Sequence, residues 1–134
     1  MARRSSPPPG APKPAPRPER QAAFRVGISA ETRAAAWLMA KGFRIVARRW
    51  KSPVGEIDLI ARRGKLLVFA EVKARARLDD AAESLSERQR RRIAAAAEFW
   101  LAANPDDAIR DIRFDAILVA PGRLPRHIPA AFET

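Results

Sequence analysis

Cysteine is absent from the 134-residue sequence, and histidine occurs only once, as His127. The lack of cysteine excludes disulfides, thiolate catalysis and Cys-based zinc sites. A single histidine near the C-terminus leaves no basis for Ser-His-Asp catalysis or a His-rich metal site. A Walker-type glycine loop, an internal repeat and a zinc-ligand spacing are missing too. Carboxylates and basic side chains are therefore the candidates for chemistry.

Long apolar runs are also lacking. No run of the sequence approaches the length of a membrane span. The N-terminus, MARRSSPPPGAPKP, has two arginines but no apolar segment after them, so it does not resemble a secretory signal. We therefore expect a cytoplasmic protein with no membrane partner.

Charge and proline content are strongly biased. The formal net charge is +11, from 26 basic and 15 acidic residues, and this excess favours a polyanionic partner, nucleic acid above all. A proteome rich in Ala, Arg and Pro would raise the arginine content without any such function. Residues 1–20 hold seven of the twelve prolines, which predicts a disordered tail. Residues 21–134 are predicted to form a single domain.

The segment VGEIDLIARRGKLLVFAEVKAR, residues 54–75, is typical of a β-hairpin. Its first half alternates polar and apolar residues, and its second half is apolar on both faces. A two-residue turn at Arg63-Gly64 would place Asp58 opposite Phe69 and diagonally beside Glu71, on the face that also carries Lys73. A turn longer by one residue would move Asp58 to the other face.

Two carboxylates and an ammonium on one face suit a hard divalent cation with oxygen ligands, Mg²⁺ or Mn²⁺. Asp58 and Glu71 are the expected metal ligands. Lys73 is expected to orient or polarise the attacking water.

Asp58 followed by Glu71-Val72-Lys73 resembles the D…(D/E)-x-K signature of the PD-(D/E)xK nucleases, which include restriction endonucleases and Holliday-junction resolvases. The segments GEIDLIA, FAEVKAR and RFD resemble the small bacterial YraN family, also called UPF0102. Ile57 stands where the superfamily name has proline. The resemblance implies an α/β, restriction-endonuclease-like fold with a mixed sheet of about four strands flanked by helices. It further implies a metal-dependent DNA endonuclease. So small a domain has no room for a module that reads sequence, so we expect it to recognise the structure of the DNA. A homodimer is one arrangement that could do this.

Three further site residues follow from the resemblance. Related nucleases often place a glutamate in the first helix, which corresponds to Glu31, and a Gln or Lys on the second helix, which corresponds to Gln89. The carbonyl of Val72 would be a third metal ligand. Glu31 could instead complement the start of its helix, and Gln89 could instead complete a capping box with Ser86.

Basic residues near these positions are candidates for nucleic-acid binding. A basic cluster beside Trp50 could hold phosphate and stack a base, or it could be a solvated strand edge with the tryptophan in the core. Four arginines, Arg88, Arg90, Arg91 and Arg92, crowd the start of the second helix, where positive charge opposes the helix dipole and an anion would be favourable. The candidates are Arg48, Arg49, Lys51, Arg75, Arg88, Arg91 and Arg92.

The remaining elements are predicted from periodicity and caps. The first is a helix over 28–41 with Ser29 as its N-cap, Gly42 as its stop, and Ile28, Ala35, Leu38 and Met39 in the core. An edge strand follows over 43–50, with Phe43, Ile45 and Ala47 on one side. A helix runs from Ser86 to Asn104, and a last strand over 112–119 precedes an irregular tail that carries Pro and Arg. Asp115 could join the site, but it is expected to pair with a nearby arginine or helix end. His127 is expected to lie at the surface.

Two other functions stay open at this point. A binding module could keep the fold and the basic face without turnover. Alternatively, an interaction protein could use the hairpin charges as a buried structural ion pair, in which case Lys73→Ala would greatly reduce stability.

Overall fold

The computed structural model of the chain describes residues 30–76 and 86–133, in which two helices enclose one sheet. Helix α1 covers residues 30–40 of the described chain. The other elements are β1 (Arg44–Ser52), β2 (Gly55–Arg63), β3 (Leu66–Ala74), α2 (Glu87–Ala103), a 3-10 helix (Pro105–Ile109), β4 (Asp111–Val119) and β5 (Arg126–Phe132). The predicted mixed sheet flanked by helices is confirmed. Neither described helix is long and apolar enough to cross a membrane.

The five strands lie in sequence order across the sheet. Only β3 and β4 are parallel, and all other neighbours are antiparallel. Parallel neighbours need a long connection, which α2 provides here. The sequence predicted about four strands and left β5 in an irregular tail. Pro129 obscured the strand pattern, yet proline is tolerated in β5 because this strand lies at the sheet edge.

Helix α1 packs on one face of the sheet. Ala35 and Leu38 are buried and Gly42 ends the helix at a φ of 89°, as predicted. Met39 was expected in the core, but it is 60% exposed because the buried stripe follows Ala34 and Leu38, one helical turn apart. The predicted helix start at Ile28, with Ser29 as its cap, lies outside the described residues.

Helix α2 packs on the opposite face. Ser86 caps it, Gln89 completes the predicted capping box, and Asn104 is its C-cap. Its buried side chains Ile93, Ala97 and Trp100 form the second core together with strand residues. Strand β3 supplies both cores, because Leu67 and Phe69 face α2 whereas Val68 and Ala70 face α1.

The turn between β2 and β3 differs from the prediction by one position. Arg63 pairs with Leu66, so the two turn residues are Gly64 and Lys65 rather than Arg63 and Gly64. Gly64 has a φ of 60° at the first turn position, where a residue with a side chain would be strained. The turn still contains two residues, which preserves the predicted facing of the strands. Each β2 residue is, however, paired with a β3 residue two positions later than predicted. Continued past Leu59 and Ala70, this pairing places Asp58 directly opposite Glu71 rather than diagonally beside it.

Strand β1 lies at the other edge of the sheet, as predicted. A bulge between Ile45 and Ala47 shifts its register with β2. Ala47 was expected on the same side as Phe43 and Ile45, but the bulge turns it to the α2 side with Val46.

The buried carboxylate of Asp115 joins β4 to β5. It accepts two hydrogen bonds from Arg113, as predicted, and one each from His127 Nε2 and the Ala130 backbone N–H. Burial alone would raise the pKa of Asp115, but these hydrogen bonds lower it to about 2. His127 was expected at the surface, yet its side chain is only 2% exposed because this carboxylate and the Lys41 Nζ hold its two ring nitrogens.

A second buried carboxylate, Asp107 of the 3-10 helix, accepts hydrogen bonds from three other side chains. It accepts hydrogen bonds from Arg62 at 2.7 Å, from Arg110 at 2.8 Å and from Trp100 Nε1 at 2.9 Å. The bonds from Arg62 are the main reason that the pKa of Asp107 is lowered. One side chain therefore ties the 3-10 helix to β2 and to α2.

We expect Asp107→Ala to lower the free energy of unfolding by about 3–5 kcal/mol, because it leaves two arginines and a buried indole N–H without their acceptor. Urea denaturation measures this loss. Asp106→Ala is the matched control, since Asp106 precedes Asp107 in the same helix but is exposed. Equal effects of the two substitutions would contradict the assigned role of Asp107.

Candidate metal and nucleic-acid site

Asp58 lies where the pairing of β2 with β3 stops. The last paired residues are Leu59 and Ala70. Beyond them the Asp58 carboxylate accepts a hydrogen bond from the Val72 backbone N–H at 2.8 Å. If the pairing continued, a main-chain carbonyl of β2 would accept this hydrogen bond, and here the Asp58 side chain accepts it instead. The two strands separate at this point, and the carboxylate lies between them.

Glu71 and Lys73 meet Asp58 at this separation. The Glu71 carboxyl shares a hydrogen bond with that of Asp58. Lys73 Nζ lies 3.8 Å from Glu71 Oε2, and these two side chains are only 20% and 16% exposed. The structure therefore brings together the three side chains that the hairpin pattern predicted to share a face.

The Glu71 carboxyl is unusually hard to ionise. Burial raises its pKa to about 8, aided by the hydrogen bond to Asp58 and by repulsion from the Asp58 charge, while Lys73 opposes the shift. At neutral pH, the Glu71 carboxyl therefore favours its protonated form next to Asp58. A divalent cation could replace that proton and relieve the same repulsion.

The groups present fit a magnesium-type ion with few protein ligands. Among residues 30–76 and 86–133, no group of three or more His, Cys, Asp or Glu side chains could hold a metal. Asp58 and Glu71 supply two carboxylates, and Val72 offers a carbonyl between Glu71 and Lys73. Mg²⁺ is commonly held by one or two carboxylates and keeps several waters, so this set suits it better than a cation that needs a full protein cage.

A further carboxylate acts on the site from a short distance. Glu56 raises the pKa of Glu71 through its charge, although burial and Asp58 contribute more. It is exposed and pairs across the strands with Lys51. The sequence interpretation gave Glu56 no role. The only signal was its place in the GEID segment, on the same strand as Asp58.

Glu31 is held by arginines of β1. Its Oε1 lies 3.2 Å from Arg48 Nη2, and its Oε2 lies 3.9 Å from Arg49 Nε. The resemblance predicted that Glu31 would assist at the metal. Within the described residues its carboxylate makes ion pairs with β1, the strand next to β2.

Gln89 does not point toward the sheet, which corrects the prediction. Its side chain is exposed, and its Oε1 accepts a hydrogen bond from the Ser86 N–H at 3.1 Å. Of the two roles considered for it, the capping box is the one present. The reason is local, because a glutamine three residues after a serine cap closes that bond without leaving its own helix turn.

The basic residues proposed to bind nucleic acid differ in solvent exposure. Arg48, Arg49 and Lys51 are exposed on β1. Trp50 packs at a right angle to Trp100, with 5.3 Å between ring centroids, so it is partly buried against the core on the α2 side. Arg75 is half-buried and donates to the Ala74 carbonyl.

The arginines at the start of α2 lie at the same end of the sheet as the carboxylates. A side chain placed at Gly55 would lie 3.5 Å from the Arg92 carbonyl oxygen, so this turn of α2 packs against the beginning of β2, three residues before Asp58. Arg88, Arg91 and Arg92 are all exposed. Arg91 lies 3.4 Å from Glu87, one helical turn away. Arg88 and Arg92 are the better candidates for binding an anion.

All these groups lie at one end of the sheet. The parallel strands β3 and β4 both end here, and the antiparallel partner β2 begins here. Arg33 of α1 reaches the Ala120 carbonyl just after β4, so part of α1 lies at this end too. Ligands of α/β proteins commonly bind beyond the carboxyl ends of parallel strands.

The sequence of this region matches a known family. The model of the "Uncharacterised protein family UPF0102" matches residues 30–119, which include both helices and the candidate site. The chain belongs to the UPF0102 family. One similar UPF0102 protein, from Rhodopseudomonas palustris strain BisB5, is 70% identical over 88% of this chain and 90% of its own length. Others are from Bradyrhizobium sp. ORS 278, at 62% over 94% and 91%, and from Nitrobacter winogradskyi, at 57% over 85% and 97%.

The protonated Glu71 predicts a pH dependence for this UPF0102 chain without metal. Its carboxyl has a pKa of about 8 in the folded state and an ordinary value of 4.5 when exposed, so the folded state holds the extra proton. Stability should fall as pH rises between these two values, by at most about 1.4 kcal/mol per pH unit for one proton.

Urea denaturation in EDTA from pH 5 to pH 8 tests this, with Glu71→Gln expected to remove most of the slope. Glu98→Gln, an exposed position on α2, should keep it. The assignment is wrong if wild type and Glu71→Gln show the same dependence on pH.

Proposed function

We propose that this protein is a metal-dependent nuclease that hydrolyses phosphodiester bonds of DNA and selects its substrate by structure rather than by sequence. The observation that carries the proposal is the meeting of Asp58, Glu71 and Lys73 where β2 and β3 separate. Two half-buried carboxyl groups held side by side repel each other, and the arrangement becomes favourable once a cation is bound.

The residues of the site would divide the work as follows. Asp58, Glu71 and the Val72 carbonyl would hold Mg²⁺ or Mn²⁺. The bound ion would supply charge neutralisation at the phosphate and a more acidic water. The hydrogen bond from the Val72 N–H fixes the orientation of Asp58. Lys73 would hold the attacking water or donate a hydrogen bond to the developing negative charge on the phosphate.

The surroundings of the site support a polyanionic substrate. Exposed arginines on β1 and at the start of α2 lie at the same end of the sheet as the carboxylates. The chain as a whole carries a net charge of +11. Positive charge on both sides of a carboxylate pair favours a phosphate backbone that passes over it. We propose a cytoplasmic location for such activity, with a monomer or a homodimer as the acting unit.

A second candidate function is a nucleic-acid-binding module without turnover. The observation in its favour is that only two carboxylates meet at the site in the described part of the chain, while Glu31 is engaged by Arg48 and Arg49. Such a module would bind DNA without cutting it. It would bind at least as well after Asp58→Asn, since this change removes a negative charge.

Cleavage decides between these two functions. We expect wild type with Mg²⁺ or Mn²⁺ to cut at least one of four labelled DNAs: single-stranded, duplex, flap and four-way junction. Asp58→Asn, Glu71→Gln and Lys73→Ala should each lose at least about a hundredfold in rate, because each removes a group that acts on the reacting phosphate.

Lys65→Ala and Glu98→Gln serve as controls, since both residues are exposed and lie away from the site. Binding without cleavage of any of the four DNAs would favour the module. Cleavage that survives Asp58→Asn would point to a contaminating nuclease or to another site.

The arginines of α2 allow a separate test of binding. We expect the double substitution Arg88→Gln with Arg92→Gln to weaken DNA binding and to lower the slope of log K against log salt by about two, one unit for each phosphate that is no longer neutralised. Fluorescence anisotropy across a salt series measures both quantities.

The charge-matched control is Arg44→Gln with Lys65→Gln. Both residues are exposed at the other end of the sheet. If the two double variants bind with the same salt slope, the α2 arginines are not part of the interface.

A further inference from the structure

In β1 and β2, the regular alternation of side chains between the α1 side and the α2 side of the sheet is broken at one position. Arg48 points toward α1, where it contacts Glu31, and Trp50 should point the same way because side chains two apart share a face. Trp50 instead packs against Trp100 of α2 on the opposite face. In β2, Leu59 lies in the α1-side core, whereas Ile57 lies in the α2-side core.

The reversal lies at Arg49 and Asp58. Arg48 pairs with Leu59, and Trp50 pairs with Ile57, which leaves Arg49 across from Asp58. Both strands therefore change facing together, at the residue that carries the first carboxylate of the site. The backbone of Arg49 is the immediate neighbour of the backbone of Asp58.

Arg49 adopts a strained backbone conformation there. Its φ is 50°, in the left-handed region that residues with a side chain avoid. A glycine would hold this conformation without strain. Strained positions of this kind cluster where a side chain must be presented to a ligand, and the surrounding structure maintains them.

Glu31 holds the two neighbouring arginines unequally. Arg48 Nη2 contacts both Glu31 Oε1, at 3.2 Å, and Thr32 Oγ1, at 2.8 Å. Arg49 reaches Glu31 only at 3.9 Å, and its side chain is 74% exposed against 45% for Arg48. Arg48 is thus fixed to α1, while Arg49 is kept near Glu31 and remains open to solvent.

We propose that Arg49 binds a backbone phosphate of the nucleic acid, next to the phosphate held at Asp58 and Glu71. Glu31 is a positioning residue that keeps the Arg49 guanidinium at this end of the sheet. The ligand class is a phosphodiester, which a guanidinium can bind with two parallel hydrogen bonds. This inference rests on the proposed function for its substrate class.

The first test separates the guanidinium from the backbone strain. Arg49→Ala and Arg49→Gly both remove the charge, but only glycine relieves the strain. Both should weaken binding of a four-way junction in EDTA by about eightfold at 0.1 M salt, and both should lower the salt slope by about one. Arg49→Gly should melt at a higher temperature than Arg49→Ala.

Two control variants test strain relief and loss of charge separately. Ala130 has nearly the same backbone conformation, with a φ of 51° in β5, so Ala130→Gly relieves comparable strain without removing a charge. It should bind the junction like wild type. Arg44→Ala removes a charge from the exposed start of the same strand, and it should change the affinity by less than about twofold.

The second test concerns Glu31. As a positioning residue, it should leave Mg²⁺ binding unchanged when replaced, so Glu31→Gln should be stabilised by Mg²⁺ as much as wild type is. A lowered Mg²⁺ affinity in Glu31→Gln would make Glu31 a ligand and would overturn this assignment. Junction binding by Glu31→Gln with a wild-type salt slope would also overturn its role in positioning Arg49.

The outcomes also separate this inference from the proposed nuclease. If wild type binds the junction and Arg49→Ala binds it equally well, the phosphate site at Arg49 is wrong while the nuclease proposal stands. If wild type binds but does not cut, and Arg49→Ala still loses eightfold, the phosphate site stands without catalysis. If wild type binds none of the DNAs, both fall together.

Discussion

The hydrogen bond from the Val72 N–H to the Asp58 carboxylate is the interaction on which the site depends. It occurs where β2 stops pairing with β3, after Leu59 and Ala70. A strand that continued in register would hold that N–H with its backbone, and Asp58 would be one more side chain on a sheet face. Because the strands separate, the carboxylate takes the bond and is oriented by it. Glu71 and Lys73 then meet it from the neighbouring strand.

The separation is coupled to the edge strand. Arg49 and Asp58 lie across from each other, and the facing of both strands reverses at them. A left-handed φ at Arg49 is the local cost of the reversal, of the order of 1–2 kcal/mol for a residue with a side chain. Trp50, Ile57 and Trp100 pack together on the α2 side and help to keep it in place. Packing in the core thus maintains a backbone distortion at Arg49, directly across from the Asp58 carboxylate.

The fold was largely accessible from the sequence because local signals agreed with one another. The capping box at Ser86 and Gln89, the stop at Gly42 and the period-2 pattern of the hairpin each gave the correct element. The fifth strand was missed because Pro129 interrupts its pattern, and a sheet edge tolerates this interruption. His127 was placed at the surface because no local pattern shows that Asp115, twelve residues earlier, binds its ring.

The meeting of Asp58, Glu71 and Lys73 could be predicted from the sequence, but the contacts around them could not. An even number of turn residues is enough to put Asp58 on the face of Glu71 and Lys73, so the prediction survived a shift of the turn to Gly64 and Lys65. The reversal at Arg49 left no trace in composition or periodicity, because it depends on packing against a distant helix. For the same reason, the pairing of Glu31 with Arg48 and Arg49 could only be seen in the folded chain.

The central claim is that Asp58 and Glu71 form one cation site whose place is taken by a proton when no metal is bound. Titration calorimetry with Mg²⁺ at pH 7, in two buffers with different enthalpies of ionisation, counts the protons released on binding. The pKa of about 8 for Glu71 predicts the release of close to one proton per Mg²⁺ bound by wild type and of none by Glu71→Gln. Mg²⁺ binding without proton release, or no binding by wild type, would contradict the claim.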